Sequence, residues 1–480
     1  MVTVSPASRR AIRQGVGIGG ALASILWTAV ATPPAGMTPA MQTVFGVFGF
    51  VLVLWLTAVI PYVVSSTLGV TLLFALGAVE TYQAATAGFA STIVFFLLLV
   101  FLLGEAIRKV DLDSWFASRL VAREPGEADP VRLVALNVLA LAFVMPSAVA
   151  RAITFIPVVR EMADAYGLGR GSAFERSSFL VIGHVNPIAS MALMTGGGMA
   201  IVTSNLIRRA GRSVTWVEWG VLMIPPVLLL YGLTTLTAEY RYADGSPTRA
   251  AASATASDGS GETVDVDVAP ALTTEQRFVG TVLLGAVVLW IVGSFVGVPT
   301  IVPAVLAVAV LSLPRIGVLA SEDVASVSWG ILFVVGAMFS ILDAMQSTGA
   351  LAFLVETTTG LVPFAAFSMW QSVAVLLALA AFVRIFFSTA SAAIVVTLPV
   401  LLQFGSRMGI NQLYLGLSTL IVVGSTTIFP FNTTSVLVSL DRGPLSTVDV
   451  VSFGLVTLGY ATLVVAVSWL VYWPTVTSLL

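Results

Sequence analysis

Two short stretches interrupt apolar runs: Met145-Pro146-Ser147, followed by Ala148-Val149-Ala150-Arg151 and later Pro157, and Ser388-Thr389-Ala390-Ser391, preceded by Phe386-Phe387 and followed later by Pro399. A single shift superposes them. Pro157 falls on Pro399 (399 − 157 = 242) and Gly167 falls on Gly409 (409 − 167 = 242). At the same offset Ser147 meets Thr389 and Val149 meets Ser391. Pro61 falls on Pro299 at a nearby offset (299 − 61 = 238). A chain that repeats its own interruptions reads as two copies of one unit. An odd number of membrane crossings per copy would set the two copies in opposite senses, the inverted-repeat arrangement.

Composition supplies the membrane. Of 480 residues, 58% are hydrophobic and only 10% charged, against roughly 25% charged in soluble domains. Mean hydropathy is +1.01. Too little polar surface is available to cover a globule in water, so the solvent must be lipid. The basic and acidic residues nearly cancel, 22 against 24, and no basic domain stands out, which argues against a nucleic-acid partner. Cysteine is absent and His184 is the one histidine, so thiolate or histidine-built metal centres are not expected.

The fold class predicted is therefore an all-α polytopic membrane protein with about 11 transmembrane segments, helices of ~20 residues being needed to cross ~30 Å of hydrocarbon. Residues 1–40 read as an extra N-terminal span, behind Arg9, Arg10 and Arg13 on the cytoplasmic side. Residues 41–239 form the first repeat and 276–480 the second, each with a re-entrant hairpin and broken helices. Between them, 240–275 is small, polar and mildly acidic, without apolar periodicity, and reads as a flexible linker. The basic segment from Arg108 to Arg132 returns to the cytoplasm after four crossings. Arg208, Arg209 and Arg212 then fall outside, against the positive-inside tendency.

A second pair of interruptions lies at Thr195-Gly196-Gly197-Gly198 and at Pro430-Phe431-Asn432-Thr433-Thr434. A half-helix ending inside the membrane leaves backbone groups unpaired, which is tolerable only where protein or a water-filled cavity covers them. Its N-terminus attracts anions; unwound carbonyls and hydroxyls attract cations such as Na⁺. Serine and threonine also back-bond within ordinary helices, but their recurrence at a repeat offset favours a binding site. Charges inside a membrane are by default functional. Arg151, one turn past Ser147, has the planar fork that suits a carboxylate or sulfate. Arg384 precedes the second tip by a turn; Asp343 and Glu105 lie near span ends; His184 is a proton relay or a structural hydrogen-bonder.

With these residues in view the chain resembles the divalent-anion:sodium symporter family, closest to its citrate and dicarboxylate exchanger branch. The family's hairpin tips carry Ser-Asn-Thr with a proline further along, matched here by Pro146-Ser147-Ala148-Val149-Ala150-Arg151 and Phe386-Phe387-Ser388-Thr389-Ala390-Ser391. Ser328-Trp329-Gly330, Glu218-Trp219 and Asp449 add weaker matches. Ala148 and Ala390 stand where the family has asparagine, and Val149 replaces the first threonine. The resemblance implies substrate contacts at Ser147, Ala148, Val149, Arg151, Thr389, Ala390, Ser391, Thr433 and Thr434. It implies Na⁺ sites framed by Ser147, Thr195, Gly196, Thr389 and Asn432. The lost amides weaken the Na⁺ inference and leave Arg151, Ser147, Thr389 and Ser391 as the anion contacts. An elevator-type movement and a homodimer are further implications of the likeness.

The function expected is secondary active transport of a small di- or tricarboxylate, or of sulfate, across the inner membrane, coupled to Na⁺, H⁺ or a counter-anion. No cofactor beyond a coupling Na⁺ is expected. The rivals are a cation/proton antiporter, which needs an acidic residue at mid-span, and an anion channel. An enzyme would need a clustered acid, base or metal set, which the sequence does not offer.

Overall fold

The computed structural model describes residues 6–121, 130–242, 271–361 and 364–479, and these are helical, with no strand among them. Of the predicted linker, 243–270 lie outside the described residues. In chain order the helices of the first half are α1 (Pro6–Val30), α2 (Pro39–Thr57), α3 (Tyr62–Ala75), α4 (Tyr82–Thr86), α5 (Thr92–Lys109), α6 (Leu112–Val121), α7 (Pro130–Ala142) and α8 (Ala148–Ala165). Helix α9 (Ala173–Leu180) runs through a π-helical turn (Val181–Val185) into Asn186–Ala189. Then come α10 (Gly198–Arg209) and α11 (Trp216–Tyr240).

The second half begins with α12 (Thr274–Val296), α13 (Ile301–Leu311), α14 (Ser321–Ser326), α15 (Trp329–Ser347) and α16 (Ala350–Leu361). It continues with α17 (Met369–Arg384), α18 (Ala390–Arg407), α19 (Gln412–Ser425) and α20 (Thr434–Arg442). It ends with α21 (Thr447–Val467), which a second π turn (Ser468–Tyr472) carries on to Trp473–Thr477.

Among the described residues, seven helices or continuous helical runs are long and apolar enough to cross a bilayer. Shorter apolar helices include α3, α7, α13, α17 and α19, and three of these, α7, α17 and α19, end at breaks in the helical path. The chain is a polytopic helical membrane protein. Burial follows the solvent. Helix α15 has 67% of its apolar window buried, whereas α12 has 22% and turns Leu284, Phe295 and Val296 outward. A whole helix face of apolar side chains turned outward suits hydrocarbon rather than water.

Polar residues set the helix ends. Thr215 with Glu218, and Ser446 with Asp449, form capping boxes that start α11 and α21. The offset seen in the sequence reappears in the coordinates. Helices α8 and α18 are each 18 residues long, begin 242 residues apart (390 − 148) and end 242 apart (407 − 165). Each contains its proline, Pro157 or Pro399. Each is followed by a left-handed glycine, Gly167 at φ 64° and Gly409 at φ 67°, where a β-carbon would be strained.

The chain gathers into two compact units. The first comprises Met1–Leu98, Ser328–Phe387 and Ser391–Leu415; the second comprises Leu99–Val327, Ser388–Ala390 and Gly416–Leu480. Within the first, the Gly88 N–H donates to Ser340 Oγ at 3.0 Å, joining the segment after α4 to α15. Within the second, ion pairs tie distant parts of the chain: Lys109 to Asp323 at 2.6 Å, and Arg132 to Glu239 through two hydrogen bonds of 2.7 and 2.9 Å.

Candidate functional site

Four breaks stand where helices would otherwise continue: 143–147 between α7 and α8, 190–197 between α9 and α10, 385–389 between α17 and α18, and 426–433 between α19 and α20. The first, second and fourth lie within the second compact unit, as do Ser388 and Thr389 of the third and Ala390, which starts α18; Ser391 lies in the first unit.

At the first break, Ser147 takes an extended backbone and its Oγ accepts the Ala150 N–H at 3.2 Å, capping α8. Ser147, Ala148 and Val149 are half-buried, and so are Thr389, Ala390 and Ser391 at the third break. Arg151 is wholly buried. Its Nε donates to Asn186 Oδ1 at 2.7 Å, and its terminal nitrogens donate to Ser190 Oγ at 2.7 Å, to the Asn186 carbonyl at 3.1 Å and to the Met145 carbonyl. Four of the five N–H groups of the fork thus point at protein acceptors. Asn186 closes the cluster, its Nδ2 donating to the Ala148 carbonyl at 2.7 Å and to the Ile182 carbonyl at 3.2 Å. The hairpin tip is thereby bolted to the end of α9.

The third break has a counterpart. Arg384 is also wholly buried and donates to the Phe387 carbonyl at 2.6 Å. Met145 and Phe387 are 242 residues apart (387 − 145), so the same carbonyl of each repeat accepts from a buried guanidinium. The donors come from opposite arms: Arg151 follows its break, Arg384 precedes its own.

The second break is wound tightly, with Gly196 N donating to the Leu193 carbonyl at 3.0 Å. Trp216 Nε1 donates to Thr195 Oγ1 at 3.2 Å and Trp219 Nε1 to the Met191 carbonyl at 3.3 Å, so α11 holds it from outside. The last turn of α19, just before the fourth break, packs on the second break: a β-carbon on Gly424 would meet Met191 Sδ at 2.6 Å. Thr426 Oγ1 back-bonds to the Val422 carbonyl at 2.7 Å, and Thr427 Oγ1 lies 3.4 Å from Thr433 Oγ1. Asn432 is fully buried, and its Oδ1 accepts the Phe429 N–H at 2.8 Å. Thr433 is half-buried and Thr434 exposed at the start of α20. Ser435 Oγ donates to the Gly183 carbonyl at 3.0 Å, joining α20 to the π turn.

The second unit therefore collects the starts of α8, α10 and α20. First-turn N–H groups there have no helical partner and carry the positive end of the helix dipole. Hydroxyls and unwound carbonyls lie beside them, a donor set for a hard monovalent cation. Such a site can hold an anion and a cation together.

Sequence reading missed Asn186 and Ser190. The Asn186-Pro187 pair inside an apolar run was the available signal, a polar side chain beside a residue that removes a helical N–H. His184 is buried in the π turn with its ring edge-on to Phe453, centroids 5.3 Å apart. Asp343 lies in the last turns of α15, and Glu105 pairs with Arg108 near the end of α5.

Comparison with known proteins gives a concordant picture. A family model described as the sodium:sulfate symporter transmembrane region matches residues 20–479. A membrane protein of Cupriavidus necator is 23% identical over 413 residues, 80% of this chain and 78% of that one. The sodium-dependent dicarboxylate transporter SdcS of Staphylococcus aureus is 23% identical over 195 residues, 39% of this chain and 37% of its own length.

Proposed function

The chain belongs to the sodium:sulfate symporter family, and from that membership we propose that it is a Na⁺-coupled secondary transporter of a small divalent anion, a dicarboxylate or tricarboxylate or sulfate, in the inner membrane. The observation that carries the reading is the gathering of three helix starts and their hydroxyls in one compact unit. The anion meets the N-terminal turns of α8 and α20 with Ser147, Ala148, Val149, Thr433 and Thr434, and the second tip contributes Thr389 and Ala390. Na⁺ takes oxygens from Ser147, Thr195, Gly196, Thr389 and Asn432. Arg151, already engaged by Met145, Asn186 and Ser190, acts on the anion by holding the tip that binds it. Transport follows an elevator-type alternating access in a homodimer, as the family resemblance implies.

Purified protein is tested by thermal shift with sulfate, succinate, malate and citrate, each in Na⁺ and in choline, and by uptake into proteoliposomes. A bound anion at about 100 times its Kd stabilises by ~2.7 kcal/mol. The expected result is stabilisation and uptake by at least one divalent anion in Na⁺, both reduced in choline. Equal uptake in the two cations would remove Na⁺ coupling; no response to any divalent anion would remove the substrate class.

A further inference from the structure

A crevice of about 440 Å³ opens in the second unit and borders the candidate site at Pro146 and Thr195. Its volume falls in the range of small-molecule sites, ~300–1,000 Å³. One wall is a single face of α12: Arg277, Gly280, Thr281, Leu284, Val287 and Trp290. From Arg277 to Trp290 that face extends ~20 Å at 1.5 Å per residue, more than one leaflet of a ~30 Å hydrocarbon core. The opposite wall comes from α5, α6 and the first two breaks, with Leu103, Trp115, Pro146, Leu193 and Thr195.

The two ends differ in chemistry. At one end Trp216 and Trp290 stack, centroids 6.0 Å apart and planes 10° from parallel. At the other end Arg277 is exposed, and among the described residues its guanidinium has no acidic partner. The neighbouring cations are occupied, Arg108 by Glu105 and Lys109 by Asp323. Along its length the crevice borders the outward surface of α12, where Leu284 is 68% exposed, so it opens toward the bilayer.

We propose that this crevice binds an anionic phospholipid of the surrounding bilayer, one acyl chain lying along α12 from Arg277 to Trp290 and the phosphate headgroup resting on Arg277. The length of the groove suits a whole chain, its walls are apolar, and the unpaired cation sits at the end where a headgroup would emerge. Anionic lipid headgroups are drawn to basic side chains near the surface. Because Pro146 and Thr195 belong to the walls, the chain packs on two of the breaks and stiffens them.

The experiment measures lipid retention, not transport, so its outcome is independent of the substrate assignment. Protein purified in detergent is offered phosphatidylglycerol, phosphatidylcholine or glycerol 3-phosphate and examined by native mass spectrometry and thermal shift. Phosphatidylglycerol should be retained and stabilising, about fivefold over phosphatidylcholine, the factor that corresponds to ~1 kcal/mol for one basic side chain near the surface. Glycerol 3-phosphate should do nothing. Arg277→Gln should erase the preference between the two lipids. Gly280→Trp, at a position with open space around its β-carbon, should lower retention about tenfold, and Leu284→Trp offers a second obstruction should the first variant fold poorly. Wild-type retention in both tryptophan variants, or protection by glycerol 3-phosphate alone, would overturn the proposal.

Discussion

An arginine fork holds five donors in one plane, and Arg151 uses four of them to join the Met145 carbonyl, both oxygens of Asn186 and the Ser190 hydroxyl. A lysine keeps the charge but concentrates its donors at one point, so it cannot serve acceptors on two sides. Arg151→Ala should lower the stability of the ligand-free protein by about 3 kcal/mol or more, because each buried acceptor left without a donor costs ~1–3 kcal/mol. Arg151→Lys should recover part of that loss. Denaturation in detergent without substrate checks both. Unchanged stability with lost anion binding would instead make Arg151 a direct ligand, the role its position in the sequence suggested. The sequence shows Arg151 as a charge near a tip but not its partners, because Asn186 and Ser190 reach it only through tertiary packing. By contrast Ser147→Ala removes one cap and should cost about 1 kcal/mol, with a larger effect on anion affinity.

The breaks are the elements that depart from continuous helix, and the sequence placed their downstream ends better than their upstream ends. Interruptions were read at 145–147, 195–198, 388–391 and 430–434, whereas the helices stop at Ala142, Ala189, Arg384 and Ser425. Helix starts announce themselves locally, through Ser147 as a cap or glycine before α10. At the first and third breaks the freed carbonyls of Met145 and Phe387 are met by guanidinium groups six and three residues away, and no capping residue marks the helix stop itself. Ala390 and Ser391, part of the interruption in the sequence, belong to the first turn of α18.

Gly196 tests the tightness of a break: a β-carbon there would lie 2.7 Å from the Ser190 carbonyl oxygen. Gly196→Ala should force the turn open, lowering the melting temperature and the Na⁺-dependent part of the anion shift together. In α14, burial raises the pKa of Asp323, but its hydrogen bonds from Lys109, at the end of α5, and from the Ala320 N–H outweigh this and leave it below the ordinary 3.8. A depressed carboxylate stabilises above its unfolded pKa and loses that contribution as pH falls through the folded value. Stability should therefore be level from pH 7 to about 5 and decline below about 4. In Asp323→Asn that acid component should shrink, the loss at neutral pH being about 1 kcal/mol for so exposed a partner as Lys109.

At the scale of the molecule, membrane residence was readable from composition alone, since 10% charged residues cannot cover a water-facing globule. The division into compact units was not readable, because each unit draws on both halves of the chain. The second unit is stitched across those halves by Lys109 with Asp323, Gly183 with Ser435, Val217 with Ser294, and Leu222 with Trp473. Residues 1–242 and 271–480 produced as separate chains should therefore purify together when co-expressed, and each should aggregate when made alone. Affinity capture through a tag on one half reads the result directly. Recovery of either half as a stable monodisperse species would show that the cross-links are dispensable.

The paired carbonyls of Met145 and Phe387 also bear on descent. Each is met by a guanidinium, yet the two arginines occupy non-equivalent positions, so neither can be the copied partner of the other. What a duplicated ancestor would have passed to both daughters is the need at that oxygen; the remedy arose at least once after the copies parted.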